Sequence, residues 1–187
     1  MTMNWLRRTA VLAACASAAL LTACGSSSVE SAFTPTRIVS FGDALSDVGQ
    51  KTGTRFTIKD GSPNNIWAEQ FAVKYGTTLT AVSAGGTGYA RGNARVSASP
   101  DAAGISSTLT LTQQIDAFLA ADSVREGDML LLNGGFSDVI AQMAAVRAGA
   151  ISRDDMVRNT HAAGQEMGAQ VQRLVNAGAK HVVVVGT

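Results

Sequence analysis

The chain alternates between short runs of consecutive apolar residues and longer segments in which apolar residues recur every three or four positions. The short runs are typical of strands buried on both faces, and the longer segments are typical of amphipathic helices. The predicted strands cover residues 37–41, 78–83, 129–132 and 181–185. The predicted helices cover 66–75, a segment carrying Leu111 to Leu119, a segment carrying Val139 to Val146, and a segment from Ser152 to Gly178.

The order of these elements predicts an α/β domain with a parallel sheet and helices on both of its faces. In such sheets, ligands bind at the carboxyl ends of the strands. The segments that follow the predicted strands are 42–44, a glycine-rich loop over 85–104, 133–138 and Gly186. The first three are the most unusual segments in the chain, so we expect a site where they meet.

The composition is that of one globular domain, with 46% hydrophobic residues among 187 and a formal charge of +1. No block of basic residues occurs, which argues against nucleic acid as a partner. Arg7 and Arg8 lie in an N-terminal segment that is predicted to be cleaved, and without them the formal charge is −1 instead of +1.

The N-terminal segment, residues 1–23, has the pattern of a secretory signal peptide. Arg7 and Arg8 precede an apolar stretch shorter than the roughly 20 residues that span a membrane. The segment ends in Leu-Thr-Ala before Cys24, which resembles the lipobox of bacterial lipoproteins. This resemblance implies that Cys24 carries lipid and anchors the protein to a membrane. An ordinary signal peptide with an incidental cysteine is the alternative.

The segment that follows, 24–36, is rich in small polar residues and is predicted to be a flexible tether. Gly25 after the cysteine resembles the pattern for sorting to the outer membrane. The expected location is therefore the bacterial cell envelope, facing the periplasm or the exterior. Cys15 would leave with the signal peptide, so no thiol remains for a disulfide, and the histidines and carboxylates lack metal-ligand spacing. We expect no metal and no cofactor.

Three short blocks carry a resemblance to the SGNH or GDSL hydrolases. "FGDALSDVG" at 41–49 resembles their first block, normally FGDSLSDxG, and "GYARGNARV" at 88–96 resembles their glycine block. "LLLNGGFSDV" at 130–139 resembles their GxND block, and "IWAEQFAVKYG" at 66–76 resembles their first long helix. Order and spacing match over residues 37–187. The resemblance implies a flavodoxin-like α/β/α three-layer sandwich, here lacking the last strand and helix.

The resemblance also implies roles for individual residues. A serine of the first block attacks the ester, while its own N–H, a glycine N–H and an asparagine amide hold the oxyanion. The corresponding positions here are Ala44, Asn93 and Ser137. The family's Asp-x-x-His block, which supplies the base, is absent from the sequence. The nucleophile, the base and both further oxyanion positions are thus altered or absent.

Other residues of the blocks are expected to shape the site: Gly42, Asp43, Gly92, Gly135 and Asp138. Asp43 is expected to organise its turn by accepting backbone hydrogen bonds, and Asp47 to cap the turn that follows. Each altered position has an ordinary structural alternative. Ala44 could be a small turn residue, Asn93 a residue that tolerates a left-handed conformation, and Ser137 the N-cap of a helix that begins at Asp138.

Replacement catalytic groups are not evident. Ser46 lies two residues after Ala44, about 200° round if this segment is helical, so it would point away from the site. His161 falls within the last predicted helix, and His181 begins a strand at the opposite end of the sheet.

Two classes of function follow. The first is a lipid-anchored esterase or lipase of the SGNH type that is inactive or impaired because Ala44 occupies the nucleophile position. The second is a non-catalytic envelope lipoprotein that binds an ester, acyl or glycan ligand in the same cleft. The chain could also be a fragment of a longer hydrolase.

Overall fold

The computed structural model describes residues 33–50, 55–57 and 66–186. Within these residues, three strands are present: β1 (Arg37–Phe41), β2 (Asp128–Asn133) and β3 (Val182–Val185). Four helices accompany them: α1 (Trp67–Lys74), α2 (Leu111–Ala121), α3 (Phe136–Arg147) and α4 (Arg153–Asn176). The strands form one parallel sheet in the order β1-β2-β3, which confirms the predicted α/β class.

The predicted signal peptide, with Cys24 at its border, lies outside the described residues, as does most of the predicted tether. Within the described part of the chain, no helix is long and apolar enough to cross a membrane.

The four predicted helices are confirmed, and the start of α4 follows the expected chemistry. The Asp155 N–H donates to the Ser152 hydroxyl at 3.0 Å, and the Ser152 N–H donates to the Asp155 carboxylate at 3.0 Å. This reciprocal pair satisfies two backbone donors at the first turn.

The strand predicted over 78–83 is wrong. Val82–Ala84 is a short 3₁₀ helix, and Ala81 makes only an isolated bridge to Gly88. Gly88 bridges Ser40 as well, so the glycine-rich loop, and not the predicted strand, pairs with the outer edge of β1. The close approach depends on the absence of a side chain, because a Cβ on Gly88 would lie 2.7 Å from a Val48 methyl.

The main core lies on one face of β1 and β2. The register pairs Val39 with Leu130 and Phe41 with Leu132, which places these side chains on the same face of the sheet. They pack in one cluster with residues of α2 and α4. The Phe118 ring of α2 contacts Phe41 edge-on, with ring centroids 5.5 Å apart. Because both faces of β2 are buried, its continuous apolar run needs no alternation.

β3 is less buried than its apolar sequence predicts. Val182 and Val183 are half-buried, while Val184 and Val185 are exposed. The predicted apolar face of α3 is also partly open, since Ile140 and Met143 are exposed.

Candidate functional site

The loops after β1 and within the glycine-rich segment are joined by direct hydrogen bonds. The Arg91 N–H donates to the Gly42 carbonyl at 3.0 Å. The Gly92 N–H donates to the Asp47 carboxylate at 2.7 Å, and both groups are buried. Asp47 also caps its own turn, as predicted, by accepting from the N–H groups of Gly49 and Gln50.

The end of β2 and the first turn of α3 are joined to the same place by two buried carboxylates. One oxygen of Asp43 accepts from the Asn133 side-chain amide at 2.7 Å. Asp138 accepts from the Arg95 guanidinium at 3.0 Å and from the Val96 N–H at 2.9 Å. The three segments predicted to meet at the carboxyl ends of the strands are therefore held together by side chains of their own.

Gly42 is the tightest point of this arrangement. Its φ is +149°, and a Cβ there would lie 2.1 Å from the Asn133 side-chain oxygen. Gln114, fully buried on α2, accepts from the Gly42 N–H at 2.9 Å and donates to the Gly42 carbonyl at 2.9 Å. A residue other than glycine would strain the backbone and displace Asn133.

Asp43 has an electrostatic environment that the sequence does not reveal. Burial raises the pKa of its carboxyl, and a hydrogen bond from the Leu45 N–H is the largest opposing effect. The amide of Asn133 and the N–H of Ser137 oppose the rise as well. The second oxygen of Asp43 has no hydrogen-bond partner of good geometry among the described residues. Asp43 organises the turn, as predicted.

The segment Ala44–Ser46 contains no group placed for nucleophilic attack. Ala44 is half-buried, and its N–H makes no hydrogen bond within the described residues. The Ser46 side chain is 0% exposed, and its hydroxyl accepts from the Trp67 indole N–H at 3.0 Å. Ser46 thus secures α1 to the turn.

Asn93 adopts a left-handed conformation, with a φ of +62°, which no other described residue except glycine shares. Its carbonyl accepts from the Ala102 N–H at 3.1 Å. Its own N–H and its side-chain amide have no partner in the part of the chain that the structure describes. The neighbouring Gly92 has a different role, because a Cβ there would meet the Phe56 ring.

Ser137 does not cap α3, so that alternative is wrong. The helix begins at Phe136, and its N-cap is Gly135, with a φ of +97°. The left-handed glycine lets the chain turn into the helix two residues earlier than a cap at Ser137 would. Ser137 therefore lies buried in the first turn, where its hydroxyl has no hydrogen-bond partner among the described residues.

The two histidines lie elsewhere in the fold. His161 is exposed on α4, and His181 precedes β3, where its carbonyl accepts from the Leu130 N–H at 3.0 Å. Among the residues with described coordinates, no three histidines, cysteines or carboxylates are grouped so that they could hold a metal.

Two residues of the site were not predicted from the sequence. Gln114 stands on the apolar stripe that Leu111, Ile115 and Phe118 form, and a polar residue at such a position is a signal for a buried hydrogen-bonding role. Arg95 pairs with Asp138, and nothing in its local sequence indicates that partner.

The chain matches no model of a known protein family and no curated protein.

Proposed function

We propose that the chain is an SGNH/GDSL hydrolase-like protein with a flavodoxin-like α/β/α arrangement, and that its cleft binds an ester or acyl group. The support is the resemblance of three blocks, together with the hydrogen bonds that join those blocks. The bonds from Gly92 to Asp47 and from Val96 to Asp138 each link two different blocks. Such links are what a cleft assembled from three loops requires.

The observation that carries this proposal is a set of unused donors. The N–H groups of Ala44 and Asn93 and the hydroxyl of Ser137 have no partners among the described residues. These are the three positions that the resemblance assigns to an oxyanion hole. Donors that converge on one point stabilise the negative oxygen of a tetrahedral intermediate, so the proposal requires these three groups to converge.

Catalysis is a separate matter. Hydrolysis through an acyl-enzyme needs a hydroxyl that attacks the ester carbonyl and a base that takes its proton. Position 44 offers a methyl group, and Ser46 is buried under Trp67. We propose that the chain as written binds esters and hydrolyses them poorly or not at all.

The assay uses a short p-nitrophenyl ester with the unaltered chain, Ala44→Ser and Ser46→Ala. We expect no turnover above background for the unaltered chain and for Ser46→Ala. Turnover by the unaltered chain that disappears in Ser46→Ala would show that Ser46 is the nucleophile and contradict the proposal. Turnover in Ala44→Ser alone would show that a base is present; no turnover would identify the base as a second missing part.

The exposed valines on β3 favour the alternative that the chain is a fragment of a longer hydrolase, in which a further strand would pair with β3. Val184 and Val185 are 49% and 36% exposed, and unpaired apolar edges invite pairing. An in-frame Asp-x-x-His within some tens of codons after Thr187 in the coding DNA would support this alternative. A stop codon directly after Thr187 would contradict it.

We also propose that Cys24 carries a lipid that holds the protein in the bacterial envelope, on the basis of the lipobox resemblance. The test compares membrane fractions of cells that express the unaltered chain and Cys24→Ser. Loss of membrane association in Cys24→Ser is the expected result, and unchanged association would contradict lipidation.

A further inference from the structure

A cavity of about 310 Å³ has Gly92 and Asn93 in its wall, and Asn93 is one of the three proposed oxyanion positions. The volume is at the lower end of the range for small-molecule sites, so the cavity suits one short chain or one ring. Phe56, Ile105 and Leu109 supply its apolar surface.

The two carboxylates on the cavity wall are already engaged. Asp47 accepts three hydrogen bonds from backbone N–H groups, one of them from Gly92. Asp101 accepts from the N–H groups of Ala103 and Ile105 and from the Thr108 hydroxyl. These donors offset the negative charge of both carboxylates, and neither carboxylate forms an ion pair with an arginine of the described chain.

The positively charged group on the cavity wall, Arg91, has no such partner among the described residues. Arg91 is half-buried as a residue, and its guanidinium makes no hydrogen bond or ion pair with any described residue. The side-chain amide of Asn93, two residues on, also has no partner in the part of the chain that the structure describes. A partly desolvated guanidinium without a partner gains more from an anion than one that is fully in water.

We propose that this cavity binds a small amphipathic anion, with a carboxylate or phosphate head on Arg91 and Asn93 and an apolar tail on Phe56 and Leu109. The planar guanidinium fork fits either head group through two parallel hydrogen bonds. The proposal rests on the proposed function, since it names the class of ligand that the same cleft accepts.

A second groove provides an internal control. It lies between α3 and α4 and is lined by Met143, Val146, Met156 and two arginines, Arg147 and Arg153. Both arginines are exposed and form no ion pair with a described residue. If an arginine beside apolar surface were sufficient to bind an amphipathic anion, the anion would bind in this second groove equally well.

The experiment measures binding of octanoate, octyl phosphate, octanol and octyl acetate to the full chain by calorimetric titration. The variants are Arg91→Gln, Arg91→Lys and the control Arg153→Gln. The backbone N–H of residue 91, which bonds Gly42, is kept in every variant. An unchanged melting temperature verifies that the fold is intact.

We expect both anions to bind more tightly than octanol, and the tighter of the two identifies the head group. Arg91→Gln should weaken anion binding about tenfold or more, and Arg91→Lys should weaken it less because the charge remains. Equal affinity of octanol and the anions, an unaffected Arg91→Gln, or loss in Arg153→Gln would overturn the inference.

The neutral ester separates this inference from the proposed function. Binding of octyl acetate without anion binding would overturn the anion site and leave the ester cleft standing. Anion binding that depends on Arg91, with no ester binding, would support the anion site and contradict the ester cleft.

Discussion

The carboxyl ends of β1 and β2 differ sharply from the outer edge at β3. At the first region, polar side chains such as Asp43, Gln114 and Asp138 are buried and bonded to loops far away in sequence. At the second region, the apolar side chains of Val184 and Val185 are exposed, at 49% and 36%. The polar residues are inside where the loops meet, and the apolar residues are outside at the edge.

This difference indicates where the fold is uniquely specified. A buried polar group becomes costly when a hydrogen bond that it makes is lost, so the loop region tolerates few alternative arrangements. The β3 edge loses little when a side chain changes, because water already contacts it. Substitutions of the same kind should therefore have unequal effects in the two regions.

The largest effect is expected from Gly42→Ala. The new Cβ would collide with Asn133 at a positive φ, which we expect to destabilise the fold by about 3 kcal/mol or more. Gly149→Ala is the matched control, because Gly149 also has a positive φ (+69°) but open space around it. The control should cost about 1 kcal/mol. Urea unfolding measures both, and equal losses would contradict the close packing at Gly42.

Gln114→Leu should have the next largest effect. It leaves the buried Gly42 N–H without a partner, while the Gly42 carbonyl keeps only the hydrogen bond from the Arg91 N–H. We expect a cost of about 2–3 kcal/mol. Gln172→Leu on exposed α4 surface should change stability by less than about 0.5 kcal/mol. A Gln114→Leu variant as stable as the unaltered chain would show that these hydrogen bonds contribute nothing.

Threonine in place of valine compares the two regions with almost no change of shape. Val39→Thr buries a hydroxyl in the core and should cost about 1–3 kcal/mol. Val184→Thr places the hydroxyl in water and should cost less than about 0.5 kcal/mol. A larger loss at Val184 than at Val39 would mean that the edge of β3 is covered in solution.

The smallest expected effect is a change in the free energy of unfolding with pH, measured by comparing Asp43→Asn with the unaltered chain. The raised pKa means that the folded state holds the Asp43 proton more tightly than the unfolded state, whose pKa is near 3.8. Ionisation of Asp43 therefore lowers stability as pH rises through the interval above 3.8. The free energy of unfolding of Asp43→Asn, minus that of the unaltered chain, should rise with pH across this interval.

The pKa of Asp122 is lowered to about 2, chiefly by a hydrogen bond from the Ser123 N–H, so Asp122 acts in the opposite sense and its contribution is lost as pH falls. It is present in both proteins, so it cancels in the difference. A difference that stays flat above pH 3.8, or falls, would contradict the raised pKa of Asp43.

The sequence predicts the elements well where burial alone decides them. Residues 129–132 and the stripe from Leu111 to Phe118 are recognised because their apolar spacing reflects contacts that the structure contains. Residues 78–83 are β-branched but do not form a ladder, because glycines bring the next loop closer to β1. Side-chain propensity cannot reveal which of two segments pairs with the edge strand of a sheet.

The candidate site is only partly readable from the sequence, for a related reason. The meeting of three loops follows from parallel strands, but the bonds that hold them depend on partners far apart in the chain. Gln114 bonds Gly42 across 72 residues, and Asn133 bonds Asp43 across 90. Serine is a favoured N-cap residue, so the sequence points to Ser137 as a cap of α3. The helix instead begins after Gly135, because that glycine adopts a left-handed conformation.

The central claim is that the turn at Ala44 is an ester site without an attacking group. A fluorophosphonate, which loses fluoride when an activated serine attacks its phosphorus, tests this directly. Tryptic cleavage after Arg37 and Lys51 yields one peptide, 38–51, that contains Ser46. We predict that its mass is unchanged after treatment of the folded protein, while an active serine hydrolase in the same tube is labelled. A phosphonylated Ser46 in that peptide would contradict the account.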